Sequence, residues 1–131
     1  MNISTPRLLI SDDDRDLRET LGSMFLRRGM NVQLAADGGE TLEALEAYCP
    51  HLLLVDMNMP VRTGLEILES LQKRPQRVPA ILMSAQLDED LVERALQAKA
   101  AGVQTKPFSV REIQAVVDQA LREHHGFDSR N

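Results

Sequence analysis

Tryptophan is absent from this chain, and Tyr48 and three phenylalanines are its only aromatic residues. A platform on which nucleic-acid bases stack is therefore not expected. Cysteine is almost absent too. Cys49 stands alone, so no disulfide can close within the chain, and a reducing compartment is the simpler expectation. No apolar run exceeds four residues, whereas a membrane span needs about twenty. The first residues show no apolar core of a signal peptide, and a cytoplasmic protein without a membrane partner is expected. Basic residues are in deficit, 15 against 20 acidic ones for a net charge of −5, which argues against direct binding to nucleic acid. The three histidines, His51, His124 and His125, have no second ligand at metal spacing. Arg27-Arg28 and Lys73-Arg74 with Arg77 read as solvated faces and helix ends.

What remains is an ordinary globular composition, 43% hydrophobic and 27% charged over 131 residues, enough for one domain with a substantial core. The stretch Leu52-Leu53-Leu54-Val55-Asp56 organises it. Four apolar residues suit a strand buried on both faces, and they run straight into an aspartate. Similar short strands are expected at residues 7–11, 31–35, 80–83 and, most weakly patterned, 101–104.

Between the strands, apolar residues recur at helical spacing. Leu17, Leu21, Met24 and Phe25 form a first stripe, headed by Asp12, Asp13 and Asp14 and closed by Gly29. Of those acids, Asp14 reads as a cap or solvent charge. Asp37 and Glu40 have the spacing of a capping box for a second helix on Leu42, Leu45 and Tyr48. A third helix is expected over residues 64–73, and a fourth from its cap at Asp88 to about residue 99. A second capping box, Ser109 with Glu112, opens the last helix on Ile113, Val116, Val117, Ala120 and Leu121. The pattern stops after Arg122, and residues 123–131 read as a frayed tail or the start of a linker. Residues 1–6 are a short N-terminal extension. Alternating strands and helices imply an α/β fold, a parallel sheet covered on both faces through right-handed crossovers.

In a parallel sheet the carboxyl ends of all strands share one edge, where such folds bind ligands. Asp12-Asp13, Asp56, Ser84 and Lys106 each follow a strand and can meet there. Three crowded carboxylates repel one another, at about 4 kcal/mol per pair for roughly 4 Å and an effective dielectric near 20. A divalent cation relieves that repulsion, and a hard oxygen-rich site suits Mg²⁺. Lys106 as a point charge and Ser84 as a hydrogen-bond donor complete a clamp for a phosphoryl group. Asp56 is the candidate nucleophile, since carboxylates form aspartyl-phosphates. The bland readings are helix-start acids at Asp12 and Asp13, a turn carboxylate at Asp56, a loop serine at Ser84 and a surface lysine lying over Phe108.

An acidic pair after the first strand, an aspartate after the third leading into Met57-Asn58-Met59-Pro60 and Gly64, a serine after the fourth and Lys106-Pro107 after the fifth together resemble the receiver domain of two-component response regulators. The resemblance covers residues 7–122. It implies a flavodoxin-like, doubly wound (βα)₅ fold with strand order 2-1-3-4-5. It also implies a switch that takes a phosphoryl group from a histidine kinase's phosphohistidine, or from a phosphotransfer protein, onto Asp56. Asp56, Ser84 and Lys106 would be the catalytic residues. Mg²⁺ would be held by Asp13, Asp56 and the Asn58 carbonyl, with Asp12 acting mainly through water. Asn58 and Gln86 would flank the attacking water and tune dephosphorylation. Such a protein catalyses its own phosphorylation and dephosphorylation without ordinary turnover of a small substrate. Receivers carry Tyr or Phe three residues before the lysine, but this chain has Val103 at that switch position, so a large ring movement cannot occur there.

Two competing readings are a protein-interaction module whose output ignores phosphorylation and an α/β enzyme with a diffusible substrate. The second lacks any lid-sized insertion. The chain could equally be the receiver of a longer regulator with its own output domain. The effector and cognate kinase are not legible, and monomer or weak homodimer are both compatible with the sequence.

Overall fold

The computed structural model describes residues 5–75 and 77–127. Strands and helices alternate: β1 (Arg7–Ser11), α1 (Arg15–Arg27), β2 (Asn31–Ala35), α2 (Gly38–Ala47), β3 (Leu52–Asp56), α3 (Gly64–Leu71), β4 (Ala80–Ser84), α4 (Glu89–Gln97), β5 (Gly102–Thr105) and α5 (Val110–His125). The strands form one parallel sheet in the order β2-β1-β3-β4-β5. The doubly wound (βα)₅ fold is thus as expected.

Composition explains which strands lie inside. All five residues of β3 and of β4 are buried, and these strands, apolar up to their last residue, have no solvent face to satisfy. The edge strands β2 and β5 carry Asn31, Gln33, Gly102 and Gln104 and stay partly exposed. Alternation along each inner strand sends side chains to two cores. Leu8, Ile10, Leu52, Leu54, Ile81 and Met83 pack under Phe25 of α1 and Ile113, Val117 and Leu121 of α5. Leu9, Leu53, Val55 and Leu82 pack on the opposite face under α2, α3 and α4. Among the described residues, no helix is long and apolar enough to cross a membrane.

Helix ends follow local chemistry, with some departures from expectation. Asp14 caps α1 by accepting from Asp16 N and Leu17 N, and Gly29 after it adopts φ +90°. The Ser109–Glu112 capping box is complete. At α2 only half of the expected box forms: Asp37 accepts from Glu40 N, but Glu40 Oε1 takes the N–H of Ala36, one residue beyond the cap. A complete box, Thr63 with Glu66, instead opens α3. Helices α3 and α4 stop two residues short of their expected ends, the latter followed by Lys99 at φ +61°. Strand β5 lies one residue later than expected.

The expected break after Arg122 is also corrected. Helix α5 continues to His125, and Gly126 then turns left-handed, with its N–H and that of Phe127 donating to Arg122 O and Leu121 O. Residues 1–4 of the expected extension, and 128–131 of the expected tail, lie outside the described residues. Arg28 is not simply a solvated helix end. Its guanidinium makes a two-pronged pair with Asp118 of α5 at 3.2 and 2.8 Å, which fastens the two helices on that face to each other.

Gly64 lets α3 start directly behind the end of β3. Its N–H donates to Met57 O at 2.9 Å. A Cβ there would lie 2.5 Å from Asp56 O and 2.7 Å from Leu82 Cδ1. Gly64→Ala is therefore expected to lower the unfolding free energy by roughly 1–3 kcal/mol, the usual cost of overpacking, as read from urea denaturation. A variant as stable as the parent would show that the backbone of Asp56 yields at no cost.

Candidate functional site

The parallel register brings the strand ends level, pairing Ser11 with Val55, Asp56 with Met83 and Ser84 with Thr105. Pairing also runs past the strands. Asp12 N donates to Ala35 O at 3.1 Å, Met57 N to Met83 O at 2.8 Å and Lys106 N to Ser84 O at 2.8 Å. The residues following β1, β3 and β5 are thus fixed by ladder hydrogen bonds rather than left on free loops. The bond between Lys106 and Pro107 is cis.

Asp12, Asp13 and Asp56 each place one carboxylate oxygen within 4.8 Å of the others. Lys106 reaches in from the far side, its Nζ 2.7 Å from Asp12 Oδ2 and 3.1 Å from Asp56 Oδ1. Asp12 is fully enclosed and Asp56 almost so, whereas Asp13 is exposed. Every polar group of Asp12 is engaged. Its N–H meets Ala35 O, its carbonyl accepts from Arg18 Nη1 at 2.7 Å, Oδ1 accepts from Asp14 N and Oδ2 from Lys106. The carboxylate of Asp13 has no hydrogen-bond or ion-pair partner among the described residues.

Burial pushes the Asp56 carboxyl above its ordinary pKa, and the neighbouring Asp12 charge pushes it further. The Lys106 ammonium and the Asn58 backbone N–H oppose that rise without cancelling it. For Lys106, burial alone would lower the pKa, but its bonds to Asp12 and Asp56 outweigh that and hold the ammonium charged. Three carboxylates against one ammonium leave the pocket net negative. An exposed carboxylate beside two buried ones is an all-oxygen donor set that fits a hard divalent cation.

Ser84 is buried at the end of β4, but its hydroxyl is turned onto its own loop. It donates to Gln86 O and accepts from Gln86 N, both at 3.2 Å. The structure therefore gathers Asp12, Asp13, Asp56 and Lys106 directly and leaves the Ser84 hydroxyl engaged elsewhere. Asn58 and Gln86 are exposed. Val103 is half-buried and packs with Leu87 and Ala100 against the core under α4.

Several contributors carried no recognisable signal in the sequence. Arg18 is one; Thr41 is another, whose hydroxyl meets that of Ser11 at 2.8 Å in a buried contact beneath Asp12. Single polar residues on a helix become informative only when their partners in space are known.

Comparison with known proteins agrees with this geometry. The chain is 40% identical over 122 residues to the transcriptional activator protein PfeR of Pseudomonas aeruginosa, covering 93% of this chain and 40% of that protein. It is 34% identical over 115 residues to the DNA-binding transcriptional regulator NtrC of Klebsiella pneumoniae, covering 88% of this chain and 24% of NtrC. The chain thus spans well under half the length of these relatives. A CheY-like response regulator receiver domain protein from Methanospirillum hungatei superposes with a TM-score of 0.86 at 28% identity, covering 92% of this chain and 97% of that one. The receiver domain of the Francisella response regulator 1452 gives 0.85 at 26% identity, covering 91% and 98%. A family model for the response regulator receiver domain matches residues 8–118, and the chain belongs to that family.

Proposed function

We propose that the chain is a phosphorylation-controlled switch in which Asp56 accepts a phosphoryl group from the phosphohistidine of a sensor kinase or phosphotransfer protein. The observation that carries this reading is the single ammonium of Lys106 bridging two buried carboxylates beside a third, exposed one. Such an arrangement is costly as a purely structural feature and suited to receiving a cation and an anionic group.

An Asp56 carboxylate oxygen attacks phosphorus in line, and the phosphorus–nitrogen bond breaks. Its electron pair stays on the departing imidazole, leaving an acyl phosphate on Asp56. Lys106, already within hydrogen-bond reach of Asp56, balances the added negative charge. The Ser84 hydroxyl can join it only by giving up Gln86. Asp13, Asp56 and the Asn58 carbonyl would hold Mg²⁺, with Asp12 supporting through water. When bound, that ion neutralises charge on the phosphoryl oxygens. Asn58 and Gln86, exposed beside the pocket, hold the water that hydrolyses the product. The setting is cytoplasmic, and the effector is a protein or an attached output domain, since PfeR and NtrC are longer regulators of transcription. An interaction module independent of phosphorylation is the second reading, favoured by the aliphatic Val103 where the relay would need a ring.

Incubation with acetyl phosphate and Mg²⁺ should add one phosphoryl group to the wild type by intact mass, and none to Asp56→Asn. Lys106→Met should slow the reaction by about 10²–10³-fold, the usual effect of removing one stabilising donor. An adduct on Asp56→Asn would move the acceptor elsewhere, and no adduct on the wild type would leave the interaction module. Asn58→Ala and Gln86→Ala should each change the rate at which the adduct is lost; unaltered lifetimes in both would remove these side chains from the hydrolysis step.

Stability should report the strained charge of Asp56. Because its folded pKa is raised, the folded protein binds this proton more tightly than the unfolded chain does. The contribution of Asp56 to stability therefore falls as pH rises from the ordinary carboxylate range through the raised value, and stays low above it. Without divalent cations, Asp56→Asn should melt above the wild type at neutral pH, and the two should converge below the ordinary carboxylate range. A difference in melting temperature that does not vary with pH would count against a buried, repelled Asp56 carboxylate.

A further inference from the structure

The exposed Asp13 lies between two backbone carbonyls that are both held by one residue of α1. Arg18 Nη1 donates to Asp12 O at 2.7 Å, and Arg18 N donates to Asp14 O at 2.9 Å. The second bond belongs to the first turn of α1. The first does not: the Arg18 side chain folds back over that turn to reach the carbonyl of a residue that is itself wholly buried. Asp12 is further immobilised through its N–H and both carboxylate oxygens. Asp13, whose carboxylate meets no partner among the described residues, is therefore oriented by the peptide groups on its two sides.

We propose that Arg18 is a positioning residue for the cation site, its side chain fixing the peptide on the amino side of Asp13 while Asp12 Oδ1 holds the peptide on the other side, so that together they set the direction of the Asp13 carboxylate. The inference rests on the cation-binding part of the proposed function and not on phosphorylation of Asp56. It makes a prediction opposite in sign to the obvious electrostatic one. Removing a positive charge next to an acidic pocket should by itself tighten cation binding. Loss of positioning should weaken it, as losing a partner that orients a ligand does, by on the order of 10- to 100-fold.

The test is titration of the folded protein with Mn²⁺ alone, counting free ion by electron paramagnetic resonance. Wild type, Arg18→Met, Arg18→Lys, Asp13→Asn and the Asp13→Asn/Arg18→Met double variant are compared, with metal-free melting temperatures recorded for each. Arg18→Met is expected to bind Mn²⁺ about 10- to 100-fold more weakly. Arg18→Lys, which keeps the charge and one donor able to reach Asp12 O, should recover most of the loss. In the Asp13→Asn background, removing Arg18 should have little further effect, since the two act as a unit. Unchanged or tighter Mn²⁺ binding by Arg18→Met, even with a lowered melting temperature, overturns the proposal and leaves Arg18 a structural or purely electrostatic role. Independent, additive effects of Asp13 and Arg18 overturn it as well. If Arg18→Met does not fold, Arg18→Gln, neutral and shorter, is titrated in its place by the same measurement: weaker Mn²⁺ binding at intact stability supports the positioning role, and equal or tighter binding opposes it. Wild type that binds Mn²⁺ but takes no phosphoryl group would sink the switch and leave the Arg18 result standing, whereas wild type that does not bind Mn²⁺ sinks both.

Discussion

The contact on which the rest of the site depends is the Lys106 ammonium between the buried carboxylates of Asp12 and Asp56, 2.7 and 3.1 Å away. Two carboxylates removed from water at the end of a sheet would otherwise repel each other and favour protonation. Lys106 offsets part of that cost, and the rise that remains in the Asp56 pKa shows that the compensation is incomplete. The pocket is therefore held in a state that a further positive charge would relieve. This residual imbalance is what suits the clustered carboxylates of Asp12, Asp13 and Asp56 to a divalent cation.

The scaffold around that contact is rigid where the charges need it. Asp12 is attached to β2, to α1, to its own loop and to Lys106 at once. Asp56 ends a strand buried along its whole length, with Gly64 packed against its carbonyl. Across the two helices on one face, Arg28 and Asp118 tie α1 to α5. On the opposite side of the pocket, the Ser84 hydroxyl is bonded to the backbone of Gln86. Any movement of Ser84 towards Asp56 must release that loop, which leads through Leu87 to the Asp88 cap of α4. The pocket and the start of α4 are thus joined through the short segment from Ser84 to Asp88, whereas Val103 supplies no ring.

Much of this was legible before any coordinates. The inner strands declare themselves because an unbroken apolar run of three or four residues has few other places to go in a chain this short. The residues that follow those strands were legible for the same reason, since a parallel sheet collects its carboxyl ends on one edge. Boundaries were less secure. β5 is slight in composition and fell one residue from its expected place, held there by pairing with β4 rather than by its own propensity. The end of α5 was misjudged because its last turn is stabilised from outside. His125 Nε2 lies 2.6 Å from His51 O, and the rings of His125 and Phe127 pack against the His51 ring with centroids 5.1 and 5.0 Å away. No helical stripe records such contacts.

By itself the sequence determined the order of strands and helices along the chain and the edge of the sheet on which Asp12, Asp13, Asp56, Ser84 and Lys106 lie. Both follow from patterns a few residues long. Only the tertiary structure decided that Asp12 is wholly engaged while Asp13 faces solvent, that Lys106 serves two carboxylates, that the Ser84 hydroxyl is turned away, and that Arg18 and Asp118 have partners. Those outcomes depend on distances between side chains far apart in the chain, 94 positions for Lys106 with Asp12 and 90 for Arg28 with Asp118. The packing of ten elements around two cores sets such distances, and local sequence periodicity carries no record of them.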